Sequence, residues 1–145
     1  KNIHLIGLLS DGGVHSHFSH LYGLVDAANE FGLKNTYIHA FTDGRDVDPK
    51  SGASFISDLQ NHLINTPTKL ATVTGRYYAM DRDKRWDRIK LAYDAIVNSV
   101  GEKSSNIVAS IEKNYADDTT DEFIKPIIAI DHPNSSWQLT QNLQS

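Results

Sequence analysis

A chain of 145 residues is long enough for one domain with a hydrophobic core and too short for two of ordinary size. Its 39% apolar and 22% charged residues are typical of a soluble globular protein, and a net charge of −4 argues against a nucleic-acid binder. The lack of cysteine excludes disulfides and thiolate chemistry, and no apolar run approaches a membrane span or a secretory signal. We therefore expect a cytoplasmic protein that binds neither nucleic acid nor membranes.

An apolar stretch begins almost at the first residue of the chain. Ile3–Leu9 has the aliphatic side chains of a buried strand, and natural chains seldom begin inside such a strand. Because residue 1 is Lys1 and not methionine, we expect this sequence to be a piece of a longer protein.

Two further segments, residues 36–41 and 69–73, repeat the pattern of the first strand. The three runs begin about 33 residues apart, and each is followed by a polar turn with glycine and then by a helical pattern. The first helix is predicted to end at a glycine C-cap, Gly32. Its apolar stripe consists of Leu21, Leu24, Val25, Ala28 and Phe31.

The second helix is predicted to begin at Asp48-Pro49, an N-cap followed by proline, and to end before Thr66-Pro67. Its predicted buried residues are Phe55, Ile56, Leu59 and Leu63. The third helix is predicted to end at Gly101, with a buried face made of Trp86, Ile89, Tyr93, Ile96, Val97 and Val100. A fourth helix is predicted over residues 106–115, with Ile107, Val108, Ile111 and Tyr115 facing inward.

Residues 127–130 complete the predicted elements as one more strand, and residues 131–145 are predicted to form a divergent tail after a domain over residues 1–130. Alternating strands and helices indicate a single α/β domain, Rossmann-like, with a mostly parallel sheet between two layers of helices. Ligands of such folds bind at the carboxyl ends of the strands, which is where the three polar turns lie.

The first turn, residues 10–17, joins two glycines to histidines. Its backbone amides and the following helix N-terminus favour an anion, to which His15 could donate a hydrogen bond or a proton. A helix-capping role is the alternative for His15 and the preferred interpretation for His17 and His20. A zinc site made of these three histidines has no companion motif to support it.

The second and third turns carry arginines beside carboxylates. The forked guanidinium of Arg45 can bind a phosphate or a carboxylate, and Asp46 could accept a proton from a hydroxyl group. The alternative is that Arg45 and Asp46 form an ion pair with each other that stabilises the loop. Arg76 and Arg82 can reach one ligand only if the segment between them is not a continuous helix. All five arginines lie between residues 45 and 88, and Arg85 and Arg88 are interpreted as a solvated helix face.

Acidic residues 117–122 lack the pattern of a calcium loop and are interpreted as a solvated linker. The glycine motifs of dinucleotide sites and P-loops are absent, as is the nucleophile elbow of hydrolases. A small anion is therefore the ligand that the arginine cluster favours.

Three motifs together resemble the 2,3-bisphosphoglycerate-independent phosphoglycerate mutases. They are Ser-Asp-Gly-Gly-Val-His-Ser-His at residues 10–17, Ala-Phe-Thr-Asp-Gly-Arg-Asp at 40–46 and Gly-Arg-Tyr-Tyr-Ala-Met-Asp-Arg-Asp at 75–83. The resemblance implies an isomerase of glycolysis that interconverts 3-phosphoglycerate and 2-phosphoglycerate. In this family one domain carries a phosphorylated serine and two manganese ions, and the domain matched here holds the glycerate.

By this resemblance, the substrate-binding residues are His15, Arg45, Asp46, Arg76 and Arg82, and Asp46 is the carboxylate that exchanges a proton with the glycerate hydroxyl. No metal ligands or nucleophile are expected in this segment, and the two further arginines that the family carries after Pro126 are not found. The chain alone is therefore predicted to be inactive without its phosphatase-like partner domain. A non-catalytic interaction module is the rival hypothesis.

Overall fold

Two consecutive βα units and a third strand form the first half of the protein, of which the computed structural model describes residues 1–130. Their elements are β1 (Ile3–Leu9), α1 (Phe18–Glu30), β2 (Thr36–Thr42), α2 (Gly52–Leu63) and β3 (Lys69–Gly75). The three strands are parallel, with the ends of β1, β2 and β3 in register at Leu9, Thr42 and Gly75. The predicted repeat of strand, polar turn and helix is confirmed.

The second half of the described chain adds smaller elements. They are α3 (Arg76–Ala79), α4 (Trp86–Asn98), β4 (Glu102–Ser104), α5 (Ile107–Ala116), a 3-10 turn (Asp121–Phe123) and β5 (Ile127–Ala129). The sheet order is β1-β2-β3-β5-β4, and β5 runs antiparallel to β3. The sheet is therefore mixed, although its site-bearing half is parallel. The sequence did not predict β4, because it is three residues long and polar.

The hydrophobic core fills the space between the sheet and three helices. Right-handed crossovers in one direction place α1 and α2 on the same face, and α5 packs against α2. The core side chains come from every one of these elements: Leu9, Val25, Ile38, Ile56, Leu59, Leu63, Val73, Ile107, Ile111 and Ile127. Helix α4 contributes none of them and packs against α3 and β3. The predicted α/β fold with helices flanking the sheet is confirmed.

Two of the predicted helix faces are partly wrong. Leu24 in α1 is 54% exposed, and Phe31, the residue after the end of α1, is 82% exposed. In α4 the buried residues are Ala92 and Ala95. Of the six residues predicted to be buried on this helix, Ile89, Ile96 and Val97 are half-buried, whereas Trp86, Tyr93 and Val100 are 71%, 58% and 57% exposed. The small side chains of Ala92 and Ala95 let α4 lie close to α3 and β3, and the larger side chains on the other faces of α4 remain exposed to solvent.

Two helix boundaries also differ from the prediction. Helix α2 begins at Gly52, not at Asp48, because Asp48 closes a turn by accepting hydrogen bonds from the amides of Lys50 and Ser51. Helix α4 ends at Asn98 with Ser99, which has a φ of 55°, as its C-cap, and not with Gly101. The tail predicted over residues 131–145 lies outside the described residues. No helix within residues 1–130 has the length and apolar character to cross a bilayer.

Candidate active site

The ends of the three parallel strands bring the three polar turns together. Because Leu9, Thr42 and Gly75 are in register, the residues that follow them, Ser10, Asp43 and Arg76, are neighbours at the carboxyl edge of the sheet. They are also bonded, since Ser10 Oγ lies 2.7 Å from Asp43 Oδ2 and Arg76 Nη1 lies 2.7 Å from Asp43 Oδ1. The predicted convergence of the turns is observed in the structure.

Asp43 is the buried centre of this arrangement, with 2% of its surface exposed. Its Oδ1 accepts hydrogen bonds from the amides of Arg45 and Asp46 at 3.1 and 3.0 Å. Burial by itself would raise the pKa of Asp43, but hydrogen bonds from the Asp46 amide, Ser10 and Arg76 hold it below its ordinary value. Asp43 is not among the site residues that the sequence predicted. Its position directly after a strand was the only signal.

Arg76 connects two carboxylates with one nitrogen. Its Nη1 lies 2.7 Å from Asp43 Oδ1 and 2.8 Å from Asp46 Oδ2, and 12% of its side chain is exposed. Burial by itself would lower the pKa of Arg76, but the hydrogen bonds to the Asp46 and Asp43 carboxylates hold this pKa above its ordinary value. Among the described residues, the N–H groups on Nε and Nη2 are left for a ligand.

His15 stands at the rim of the same site. Its Nε2 lies 3.7 Å from Asp46 Oδ2, and nearly half of its side chain is exposed. The preceding loop turns at Gly13, which has a φ of 72°, and Ser16 Oγ fastens it to the Leu8 carbonyl at 2.6 Å. His15 is therefore free to meet a ligand beside Asp46, whereas His17 caps α1 by accepting from the Ser19 amide, as predicted.

Arg45 points to a partner that the sequence did not indicate. Its Nη1 lies 3.6 Å from Glu122 Oε1, and 60% of its side chain is exposed. Asp46 pairs instead with Arg76, so the mutual pair of Arg45 and Asp46 is not formed. The side chains of Arg45 and Asp46 nevertheless line the same cavity from adjacent positions of one turn.

The third turn supplies the far wall of the site. Arg76 begins the single-turn helix α3, and the chain is irregular from residue 80 until α4 begins. This break lets both Arg76 and Arg82 line the cavity, as the ligand hypothesis required. Arg82 is exposed and has no ion pair within the part of the chain that the structure describes.

Arg88 was interpreted as a solvated residue, and the structure corrects this. Its guanidinium stacks on the ring of Tyr77 at 3.8 Å and lies 3.4 Å from Asp81 Oδ1. The partner Asp81 also accepts from the amides of Asp83 and Arg85, which fixes the irregular segment before α4. No local pattern marks this role, because Tyr77 and Arg88 lie on different elements. Arg85 is exposed, as predicted.

The acidic segment after α5 was predicted to be a solvated linker, and this is correct only for Asp117 and Asp118, which are exposed. Asp121 is fully buried, and its Oδ2 accepts from the Gly52 amide at 2.7 Å while its Oδ1 accepts from the Tyr115 hydroxyl. Burial raises the pKa of Asp121 above its ordinary value, and these hydrogen bonds act against that shift. The next residue, Glu122, thereby reaches the cavity beside Arg45.

Together these groups enclose a cavity of about 310 Å³. All five residues that the sequence predicted are in its wall, namely His15, Arg45, Asp46, Arg76 and Arg82. The wall is completed by residues that the sequence did not select, namely Tyr77, Met80, Asp81, Asp83, Arg88 and Glu122. The wall carries four guanidinium groups beside four carboxylates, and the forked guanidinium groups suit a compact anion with more than one charged group.

A metal site is not formed by the histidines of the first turn. Within residues 1–130 there is no group of three or more His, Cys, Asp or Glu side chains that could hold a metal ion. His15, His17 and His20 therefore do not support the zinc alternative. His17 instead contacts the rings of Phe18 and His20, at centroid distances of 4.6 and 6.3 Å.

Known proteins resemble this chain in sequence and in structure. A family model described as the BPG-independent PGAM N-terminus matches residues 1–142. The 2,3-bisphosphoglycerate-independent phosphoglycerate mutase of Flavobacterium johnsoniae is 62% identical over 90% of this chain, and that of Flavobacterium psychrophilum is 64% identical over 93%. These matches cover 26% and 27% of the two relatives, so the chain spans about a quarter of their length.

A solved structure agrees with this assignment. The phosphoglycerate mutase of Leishmania mexicana, crystallised at low cobalt concentration, superposes with a TM-score of 0.88 at 31% identity, over 95% of this chain and 27% of that one. The sequence motifs, the fold and the site at the strand ends lead to the same family. The chain belongs to the N-terminal segment of the 2,3-bisphosphoglycerate-independent phosphoglycerate mutases.

Proposed function

We propose that this chain holds the glycerate part of phosphoglycerate in an isomerase of glycolysis that interconverts 3-phosphoglycerate and 2-phosphoglycerate. The observation that carries the proposal is the convergence of Arg45, Arg76 and Arg82 with His15 and Asp46 on one cavity. A substrate with a carboxylate and a phosphate needs two cationic contacts, and the forked guanidinium suits both groups. Membership of the mutase family supports the same substrate.

The arginines differ in the freedom they have to bind a ligand. Arg76 is fixed by two carboxylates, so its remaining donors are held in place before a ligand arrives. Arg82 has no such partner within residues 1–130 and is exposed. We infer that the fixed donors of Arg76 orient the ligand as it binds, and that the side chain of Arg82 moves to contact the ligand after it has bound. Such positioning keeps a released glycerate in place while it turns.

Asp46 is the group best placed to exchange a proton with the glycerate hydroxyl. Its Oδ2 faces both Arg76 Nη1 at 2.8 Å and His15 Nε2 at 3.7 Å. A carboxylate at the cavity wall can accept a hydroxyl proton from a ligand within hydrogen-bond reach. His15 and the arginines would then hold the negative charges of the substrate while Asp46 handles the proton.

The phosphoryl chemistry requires groups that residues 1–130 do not provide. We propose that a partner domain of the whole protein carries the nucleophilic serine and two manganese ions. Bound manganese would neutralise phosphoryl oxygens in that domain. The residues described here would bind and orient the glycerate and, when the partner domain closes, exclude water from it. On this proposal the chain by itself does not complete the reaction.

Direct binding is the first test. Calorimetric titration of this chain with 3-phosphoglycerate at low salt should show weak binding that Arg82→Ala reduces by about tenfold, the loss of one charged hydrogen-bonded contact. Arg85→Ala is the matched control, because Arg85 is exposed nearby and does not line the cavity. Absence of heat at millimolar ligand, or equal effects of the two substitutions, would contradict the proposal.

Recovery of activity is the second test. The remaining part of the protein, expressed separately and supplied with manganese, should convert 3-phosphoglycerate only when this chain is added. If the chain binds phosphoglycerate but turnover never appears, the non-catalytic module becomes the better explanation. The variant Asp46→Asn should bind the ligand and fail to restore turnover.

A further inference from the structure

Asp43 lies behind the cavity and does not line it. The carboxylate is buried, and the residues of the cavity wall do not include it. It nevertheless bonds three residues that do line the cavity, through the amides of Arg45 and Asp46 and through Nη1 of Arg76. Any effect of Asp43 on a ligand must therefore pass through these neighbours.

The hydrogen bonds of Asp43 are divided between its two oxygens. Oδ1 accepts from Arg76 Nη1 and from the two amides of its own turn. Oδ2 accepts from Ser10 Oγ at 2.7 Å, and this hydroxyl in turn accepts from the Gly12 amide at 3.1 Å. One carboxylate thus connects the turns that follow β1, β2 and β3.

Asp43 and Asp46 compete for the same nitrogen of Arg76. Arg76 Nη1 is shared between the two carboxylates, at 2.7 Å from Asp43 Oδ1 and 2.8 Å from Asp46 Oδ2. Without Asp43, an arginine and a single carboxylate prefer the bidentate arrangement, in which two nitrogens bind both oxygens. That pairing would remove Arg76 donors from the ligand and cover Asp46.

We propose that Asp43 is a positioning residue for the mutase reaction, which limits the contact of Arg76 with Asp46 to one nitrogen and so leaves the other Arg76 donors for the ligand and Asp46 open to its proton. This inference rests on the proposed function. Asp43 acts through Arg76 and Asp46 and touches no reacting atom itself. Ser10 supports it by fixing the orientation of the carboxylate.

The test compares variants of the full-length protein that carries this segment. In Asp43→Asn the amide oxygen can still accept from the two backbone amides, while the charge that holds Arg76 is lost. We expect kcat per folded molecule to fall by at least about tenfold because Asp46 is covered, and KM to rise by about tenfold because the Arg76 donors are withdrawn from the ligand. Folded protein is measured by circular dichroism and active concentration by ligand titration.

The matched control is His39→Asn, which changes another buried polar side chain of β2 without touching Arg76 or Asp46. A merely structural role for Asp43 would leave kcat per folded molecule within about threefold of the unmodified protein in both variants, and would overturn the proposal. If Asp43→Asn does not fold, Ser10→Ala tests the proposal instead. This variant removes the hydrogen bond that orients the Asp43 carboxylate and keeps the charge of that carboxylate.

For Ser10→Ala we expect kcat to fall by about threefold or more at nearly constant KM, and an unchanged kcat would overturn the proposal. Failure of the proposed function has a different signature. In that case the unmodified full-length protein itself does not interconvert the phosphoglycerates, and the inference about Asp43 falls with it.

Discussion

A Cβ atom on Gly75 would lie 2.3 Å from the carbonyl oxygen of Glu122, and the Gly75 amide donates to the Ile124 carbonyl at 2.8 Å. The last residue of β3 is thus in direct contact with the segment that carries Glu122 into the cavity. Thr42, at the end of β2, holds the same segment by donating its hydroxyl to the Asp121 carbonyl at 2.7 Å. The ends of β2 and β3 therefore hold residues 121–124 in place by hydrogen bonds, in addition to positioning the turns that follow these strands.

We expect Gly75→Ala to lower the free energy of unfolding by about 2 kcal/mol or more, because a backbone oxygen cannot move aside as a flexible side chain can. Urea denaturation of this chain measures the change. Gly23→Ala is the control: a Cβ there would meet nothing within 4 Å, and alanine within α1 should stabilise by up to about 1 kcal/mol. Similar midpoints for the two variants would contradict the close contact.

Two arginines of the cavity should differ strongly in what they contribute to stability. Arg76→Ala leaves the buried Asp43 without its cationic partner, and we expect a loss of about 3 kcal/mol. Arg45→Ala should cost less than about 1 kcal/mol, because its pair with Glu122 is long and 60% of the Arg45 side chain is exposed. Chemical denaturation at moderate salt makes the comparison, and equal losses would show that Arg76 is not held as described.

The Tyr115 hydroxyl joins α5 to the start of α2. It donates to Asp121 Oδ1 and accepts from the Ala53 amide at 3.1 Å, and burial raises the pKa of Tyr115. Tyr115→Phe should therefore destabilise the chain by about 1 to 3 kcal/mol, because a buried carboxylate and an amide each lose a partner. Tyr93→Phe, at a side chain that is 58% exposed, should change the melting temperature little.

Acid stability should depend on a histidine far from the cavity. His39 is fully buried between β1 and β3, with Nε2 at 3.1 Å from His4 Nδ1 and Nδ1 at 2.9 Å from Thr72 Oγ1. Burial, and to a smaller extent His4, lowers the pKa of His39 to about 4. Between pH 6.5 and 4 the unfolded chain binds a proton that the folded chain does not.

The stability that neutral His39 supports is therefore complete above pH 6.5 and is lost as the pH falls toward 4, by about 3 kcal/mol in all. His39→Asn should flatten this slope, whereas His20→Gln, at an exposed histidine, should leave it unchanged. Thermal or urea unfolding at pH 7, 6 and 5 measures it. The lowered pKa of Asp43 acts below its ordinary value of 3.8, outside most of this window. Identical slopes for His39→Asn and the unmodified chain would refute the assignment.

The sequence alone determined the βα repeat and the edge of the sheet where the site lies. Strand and helix patterns are local, and the carboxyl ends of parallel strands must meet at one edge, so residues in successive turns become neighbours. This reasoning was sufficient to place His15, Arg45, Asp46, Arg76 and Arg82 around one cavity. Their roles in catalysis remain predictions.

Only the tertiary structure decided which groups are partners. Arg76 bonds Asp43, 33 residues away, and Asp46, 30 residues away, and Thr42 bonds the backbone of Asp121, 79 residues away. No local periodicity encodes such distant pairs, because hydrogen bonds and ion pairs depend on how the elements pack and not on their spacing along the chain. For the same reason, the sequence shows that Asp121 is acidic but does not predict that its side chain is buried.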